Sequence, residues 1–161
     1  MTTEVDDVAW FLEVAANCGA TPIVAGGWGV DALAGRQTRD HRDLDLLVQH
    51  ECVESIAEEL CEAGFVVSTD WLPVRIELSD AVDDRRVDVH PIHDDGHGGW
   101  WQHGLDGQIH DYPAHALTTG AIGGVVVSCL TVAKQRHLHT GYELRRDDVH
   151  DLAVLDGLEP P

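Results

Sequence analysis

The sequence predicts a mixed α/β (α+β) fold, one mixed, twisted sheet flanked by helices with a short helical C-terminus. Three observations carry this. Short apolar runs of strand length alternate with helical periodicities through the first half of the chain. Val74 to Leu78 and Arg86 to Ile92 alternate apolar and polar residues about the polar turn Asp83-Asp84, as an antiparallel pair does. After Val127 the pattern returns to helix. With 161 residues, 43% of them hydrophobic, the chain suits one domain: 1–127 form the sheet and its helices, 128–161 the C-terminal helices.

Thr3 is a candidate cap for a first helix whose apolar stripe is Val8, Phe11, Leu12, Ala15 and Ala16, ended by Gly19. Pro22 to Ala25 reads as a short strand feeding a Gly26-Gly27 turn. Trp28 to Leu33 reads as a short helix closed by Gly35, followed by a polar, basic loop from Arg36 to Arg42. Leu44 to Val48 is a central strand. Glu51 to Ala63 is an amphipathic helix, with Val53, Ile56, Ala57 and Leu60 on one face. Phe65 to Val67 is a strand. Asp94 to Gly107, rich in Gly, His and Trp, reads as loop or irregular hairpin, with Gln108 to Tyr112 an edge strand after it. Gly124 to Val127 is another strand. Ser128 or Thr131 caps a helix reaching about His139, and Asp147 or Asp148 starts a last helix through Leu155. No repeat and no interdomain linker is visible.

A net charge of −19 argues against a nucleic-acid partner, which needs clustered Lys and Arg. It suits a cationic small molecule drawn into an acidic cleft. A nucleotide remains compatible if metal ions mask its phosphates. The four cysteines form no Cys-x-x-Cys pair and read as reduced core thiols of a cytoplasmic protein. No apolar run approaches the ~20 residues needed to span a membrane, and no signal peptide is seen. The 11 histidines follow no zinc-ligand spacing.

The chemistry concentrates in Val24 to Val48. On a strand, Asp43 and Asp45 share one face while Leu44, Leu46 and Val48 face the core. Paired carboxylates repel each other, and a divalent cation with a taste for oxygen ligands, such as Mg²⁺, relieves that cost. Asp88 and His90 share a face in the run Arg86 to Pro91, because Val87 and Val89 face a core. If the two strands are neighbours, three carboxylates meet, able to hold one or two Mg²⁺ and to accept a proton from an attacking hydroxyl. The Gly26-Gly27 turn before a helix suits a phosphate. A phosphate cradle beside a carboxylate cluster is equipment for phosphoryl or nucleotidyl transfer.

Gly26-Gly27-Trp28, Asp31-Ala32, Gly35-Arg36, Arg39, His41 and Asp43-Leu44-Asp45 together resemble the signature of the antibiotic nucleotidyltransferases of the polymerase-β-like superfamily. The spacing is similar to that of the aminoglycoside 2″-adenylyltransferase-like branch. Trp71 to Leu78, Val87 to Ile92 and His139 to Tyr142 resemble the short lincosamide nucleotidyltransferases. The resemblance spans nearly the whole chain and is weakest from Asp94 to Ala121.

This resemblance implies a polymerase-β-like nucleotidyltransferase fold. It implies transfer of a nucleoside monophosphate, AMP from ATP, to an antibiotic hydroxyl with release of pyrophosphate. It implies two Mg²⁺ held by Asp43, Asp45 and Asp88, with Asp88 also the base. It sets Gly26, Gly27 and Trp28 at the triphosphate of ATP or another NTP. The superfamily's usual serine after the first glycine is Gly27 here, which leaves that phosphate contact to backbone or to a basic residue such as Arg36, Arg39 or Arg42.

His90, Glu77 and Trp71 are candidates for the acceptor pocket. Each has a plainer reading as well: a hydrogen-bonded structural histidine, an ion pair with Arg75, and packing. Trp100 and Trp101 could line that pocket or pack, and Lys134 and Tyr142 could reach the nucleotide. The partners expected are a nucleoside triphosphate and a cationic, hydroxylated small molecule, a lincosamide ahead of an aminoglycoside. A homodimer would complete the acceptor pocket. Two other functions stay open: a minimal nucleotidyltransferase of a toxin–antitoxin pair modifying a protein, and a non-catalytic nucleotide-binding module.

Overall fold

A computed structural model describes residues 2–158. Its helices are α1 (Val5–Asn17), α2 (Gly26–Ala34), α3 (Val53–Glu62), α4 (Val132–Leu138) and α5 (Arg146–Leu158). Its strands are β1 (Ile23–Ala25), β2 (Leu44–Gln49), β3 (Val66–Trp71), β4 (Arg75–Ser79), β5 (Arg86–Asp94), β6 (Trp100–His103), β7 (Ile109–Tyr112), β8 (Leu117–Ile122) and β9 (Val125–Leu130). The sheet order is β3-β4-β5-β2-β1-β9-β8, and β6 and β7 extend from β5 as a hairpin. β2 runs parallel to β5 and β1 parallel to β9; the remaining neighbours are antiparallel. The mixed sheet, flanking helices and short helical C-terminus are those the sequence predicts.

The two faces of the sheet are covered differently. On one, Val8 and Phe11 of α1, Trp28 of α2 and Ile56 and Leu60 of α3 pack on Leu44, Leu46, Leu78, Val87 and Val89 in the main core. Burial of this apolar surface, worth about 25 cal/mol per Å², is what holds the helices down. The other face carries a smaller cluster of Ile23, Ala25, Leu47, Ile92, Tyr112 and Leu130. Because side chains alternate, Asp45 and Asp88 emerge on this second face, where the large helices do not cover them.

Several local expectations are corrected. Thr3 does not cap α1. Glu4 does, in a reciprocal capping box with Asp7, while Thr3 bridges to His41 across the 36–42 loop. Gly26 and Gly27 are not a turn before the helix but its first residues. β2 begins at Leu44, so Asp43 lies just ahead of the strand. β8 was missed because Leu117-Thr-Thr-Gly-Ala-Ile lacks a run of β-branched apolar residues. Gly120 is there because α2 crosses close by, and a Cβ would lie 2.3 Å from the Ala32 carbonyl oxygen. Of the cysteines, all free, only Cys129 is buried; Cys61 is exposed, not a core thiol.

Candidate active site

The site is organised by how closely β2 approaches the start of α2. Gly26 has φ +57°, and a Cβ there would lie 2.1 Å from Asp45 Oδ2. Only glycine combines that backbone with that contact. Asp45 is registered directly opposite Asp88 on the parallel neighbour β5, and Asp88 opposite Glu77 on β4. Three acids from three adjacent strands therefore stand in a row. Asp45 and Asp88 border a cleft of about 530 Å³ also lined by Gly27, Arg39, His41, Arg42, Asp43 and residues of α4 and α5.

Basic groups offset this negative charge. Arg75 bonds Asp88 through Nη1, lies 3.8 Å from Glu77 and stacks its guanidinium 4.6 Å from the Trp71 ring centre. Arg42 pairs with Asp43 at 2.5 Å. His90 Nε2 lies 3.0 Å from Asp45 Oδ1. Burial opposes the charge on Asp45, but the His90 hydrogen bond and nearby cations outweigh it and hold its carboxyl below the usual range. For Asp88 burial dominates, the charge of Asp45 adds to it, and its pKa is pushed up to about 6. Burial opposes charge on His90 too, and the bond to Asp45 overcomes it, raising its pKa.

The donor set fits a hard divalent cation. One carboxylate oxygen each of Asp45 and Asp88 and a ring nitrogen of His90 lie within 4.8 Å of one another. Asp88 Oδ1 is buried and has no hydrogen-bond partner among the described residues, an acceptor left open in a low-dielectric setting.

The opposite wall depends on contacts between residues far apart in sequence. Arg39 from the 36–42 loop makes two 2.8 Å bonds to Asp151 of α5. His41, itself buried, bonds Asp31 of α2 at 2.5 Å, and Thr38 holds the other Asp31 oxygen. Both basic residues lie tight under Gly27, where a Cβ would come 2.4 Å from Arg39 Nη2 and 2.5 Å from His41 Nδ1. Asp148 at the start of α5 accepts from the Arg145 backbone N–H and guanidinium. Beyond Asp45 a smaller hollow of about 300 Å³ opens between Leu47, His90, Gln102, His110, Tyr112 and Leu138.

The structure thus brings together Asp43, Asp45, Asp88, His90, Glu77, Gly26, Gly27 and Arg42. Two candidates fall outside. The Trp28 side chain points into the main core against His41 and is 1% exposed, so only its backbone faces the start of α2. Arg36 is exposed and does not line the cleft; Arg39 does. Trp71 is half exposed on edge strand β3 and meets the site through Arg75. Trp101 stacks on His93, and Lys134 bonds the Asp111 carbonyl and caps the Tyr112 ring. Tyr142 lines the cleft. Asp31, Gln102, Tyr112, Asp148 and Asp151 were not singled out as site residues. An aspartate within an apolar helix, at Asp31, was the one available signal.

A glycine-started helix over facing carboxylates on a mixed sheet is the apparatus of a nucleotidyltransferase, and the comparisons place the chain in that class. The chain belongs to the aminoglycoside-2''-adenylyltransferase family, whose model matches residues 8–155. A lincosamide resistance protein of Staphylococcus haemolyticus is 26% identical over 152 residues, 94% of each chain. The crystal structure of the lincosamide antibiotic adenylyltransferase LnuA, with lincomycin bound, superposes with a TM-score of 0.88 at 25% identity, covering 99% of this chain and 100% of that one. ANT(2")-Ia, solved with adenylyl-2"-tobramycin, shares the fold with a TM-score of 0.70 at 20% identity, over 97% of this chain and 89% of that one.

Proposed function

We propose that this chain is a Mg²⁺-dependent adenylyltransferase that moves AMP from ATP to a hydroxyl of an antibiotic, a lincosamide ahead of an aminoglycoside, and so confers resistance. The observation that carries this reading is Asp45 facing Asp88 beside Gly26, within one acidic cleft. Lincosamide preference is supported by the full-length similarity to LnuA and to the lincosamide resistance protein. Residues 1–161 act as one catalytic unit, with α4 and α5 closing the cleft that the sheet opens. Residues 1 and 159–161 lie outside the described structure. The cytoplasm suits its free cysteines, and no helix among the described residues is long and apolar enough to cross a membrane.

In this mechanism Asp43, Asp45 and Asp88 hold the cation, which when bound supplies positive charge against the α-phosphate and the departing pyrophosphate. The backbone at Gly26 and Gly27 receives the triphosphate, with Arg39, His41 and Arg42 beside it. Asp88 takes the proton of the acceptor hydroxyl as its oxygen bonds the α-phosphorus and the bond to pyrophosphate breaks. Glu77, Arg75 and Trp71 border the acceptor side.

A pyrophosphate-release screen with ATP and GTP, Mg²⁺, and panels of lincosamides and aminoglycosides tests the proposal. Release dependent on a lincosamide supports it. Release that needs a protein acceptor, with every antibiotic silent, refutes it.

A further inference from the structure

A chain of hydrogen bonds joins the β6–β7 hairpin to the carboxylate pair, and its donors and acceptors can be assigned. Gln102 Nε2 is 3.4 Å from the Val74 carbonyl oxygen, which can only accept. The Gln102 amide oxygen takes the Tyr112 hydroxyl at 2.8 Å. The Val74 carbonyl orients the amide with its NH₂ toward His90 Nδ1 at 3.1 Å, and the Tyr112 hydroxyl, able to donate or accept, donates to the oxygen so placed. Nδ1 must then be the acceptor, and the ring proton sits on Nε2, donated to Asp45 Oδ1. Gln102 is buried, at 5% exposed, so water cannot easily replace this donor.

We infer that Gln102 is a positioning residue: by donating to His90 Nδ1 it fixes the Nε2–H tautomer, which makes His90 a holder of Asp45 and not a ligand of the cation. This rests on the nucleotidyltransferase reading above for what Asp45 does. The geometry of His90 alone would allow ligation, since its ring nitrogen stands within reach of Asp45 and Asp88. Ligation through Nε2 would need the proton moved to Nδ1, where it would meet the Gln102 N–H head on. The amide thus excludes His90 from the ligand set and spends it on orienting a carboxylate, as partners behind a ligand commonly do. Tyr112, buried in the second core cluster, holds the amide in turn.

The test reads ring nitrogens and metal binding without nucleotide or antibiotic. In ¹⁵N-resolved NMR of the protein at an alkaline pH, above the raised pKa of His90, Nδ1 is expected to be unprotonated and Nε2 protonated, and to stay so on adding Mg²⁺. Gln102→Met keeps the side chain's length and loses the donor. It is expected to lose the single tautomer and to bind Mn²⁺, followed by EPR, about tenfold more weakly. Tyr112→Phe, which removes only one hydroxyl, is expected to shift both readouts the same way by less. Protonated Nδ1 in the parent protein overturns the inference without use of any variant, as does Mn²⁺ affinity unchanged in Gln102→Met. Because neither readout needs turnover, a silent antibiotic panel would count against the proposed function and leave this inference standing. An active enzyme with protonated Nδ1 would do the reverse.

Discussion

Asp45 and Asp88 face each other across parallel strands, yet the protein holds one carboxyl below and the other above its ordinary range. Both feel burial. Asp45 has His90 as a donor, while Asp88 keeps one oxygen without any partner among the described residues. As pH falls the pair therefore loses its charges in order, Asp88 before Asp45.

Removing either charge should therefore stop the reaction and spare the fold. Asp45→Asn and Asp88→Asn are expected to cut antibiotic-dependent pyrophosphate release by roughly 10²–10⁴-fold. Asp88→Asn should melt no lower than the parent in metal-free buffer, since it removes a charge that burial disfavours. Circular dichroism melts and release rates on the same samples check both.

Gly26→Ala is expected to fail on two counts. The side chain would meet Asp45 and the backbone is left-handed, a combination costing about 1–3 kcal/mol in conformation alone. Gly27→Ala puts its Cβ against Arg39 and the buried, Asp31-bound His41 without a left-handed backbone to strain. It is expected to lose stability too, but less than Gly26→Ala, and to raise the KM for ATP. Denaturation midpoints and ATP titrations rank the two variants.

Arg39→Ala removes the clamp between the 36–42 loop and α5 and leaves the buried Asp151 carboxylate without its two strongest bonds. A stability loss of roughly 2–3 kcal/mol is expected. Arg39→Lys should recover only part of it, because a single ammonium cannot reproduce a two-bond fork. Urea titrations of the three proteins measure this directly.

The Arg145 guanidinium and backbone N–H hold the Asp148 carboxyl below the usual carboxylate range, against its burial. A depressed carboxyl stabilises above its unfolded pKa, and that contribution vanishes as pH falls through the folded value. Asp148→Asn should cost about 1 kcal/mol at pH 7 and nothing at the acid end, where both proteins are uncharged at this position. Thermal midpoints of the pair against pH should converge as the solution is acidified.

Much of this site was legible along the chain. Leu44, Leu46, Val87 and Val89 mark two buried strands by alternation, and that same alternation sets Asp45, Asp88 and His90 on the opposite face. Acids carried on such strands stand out because an unpaired carboxylate beside a core is costly. Gly26 was visible as a glycine but not as the first residue of a helix pressed on Asp45. Asp43 looked equivalent to Asp45, yet it precedes the strand and turns to Arg42. Trp28 followed the glycines in the motif, so it looked like part of the phosphate cradle. In the fold, the 100° step of the helix carries it into the core.

The sequence by itself determined the mixed sheet, the carboxylates and the family resemblance, because periodicity and the cost of burying charge are local properties. Only the tertiary structure decided that Arg39 is held by Asp151, that His41 leans on Asp31, and that Gln102 and Tyr112 govern His90. Those partners stand 112, 10, 12 and 22 residues apart, with the last link running through Gln102. Most of these meetings depend on how α5 and the β6–β7 hairpin dock, and no spacing along the chain encodes a docking angle.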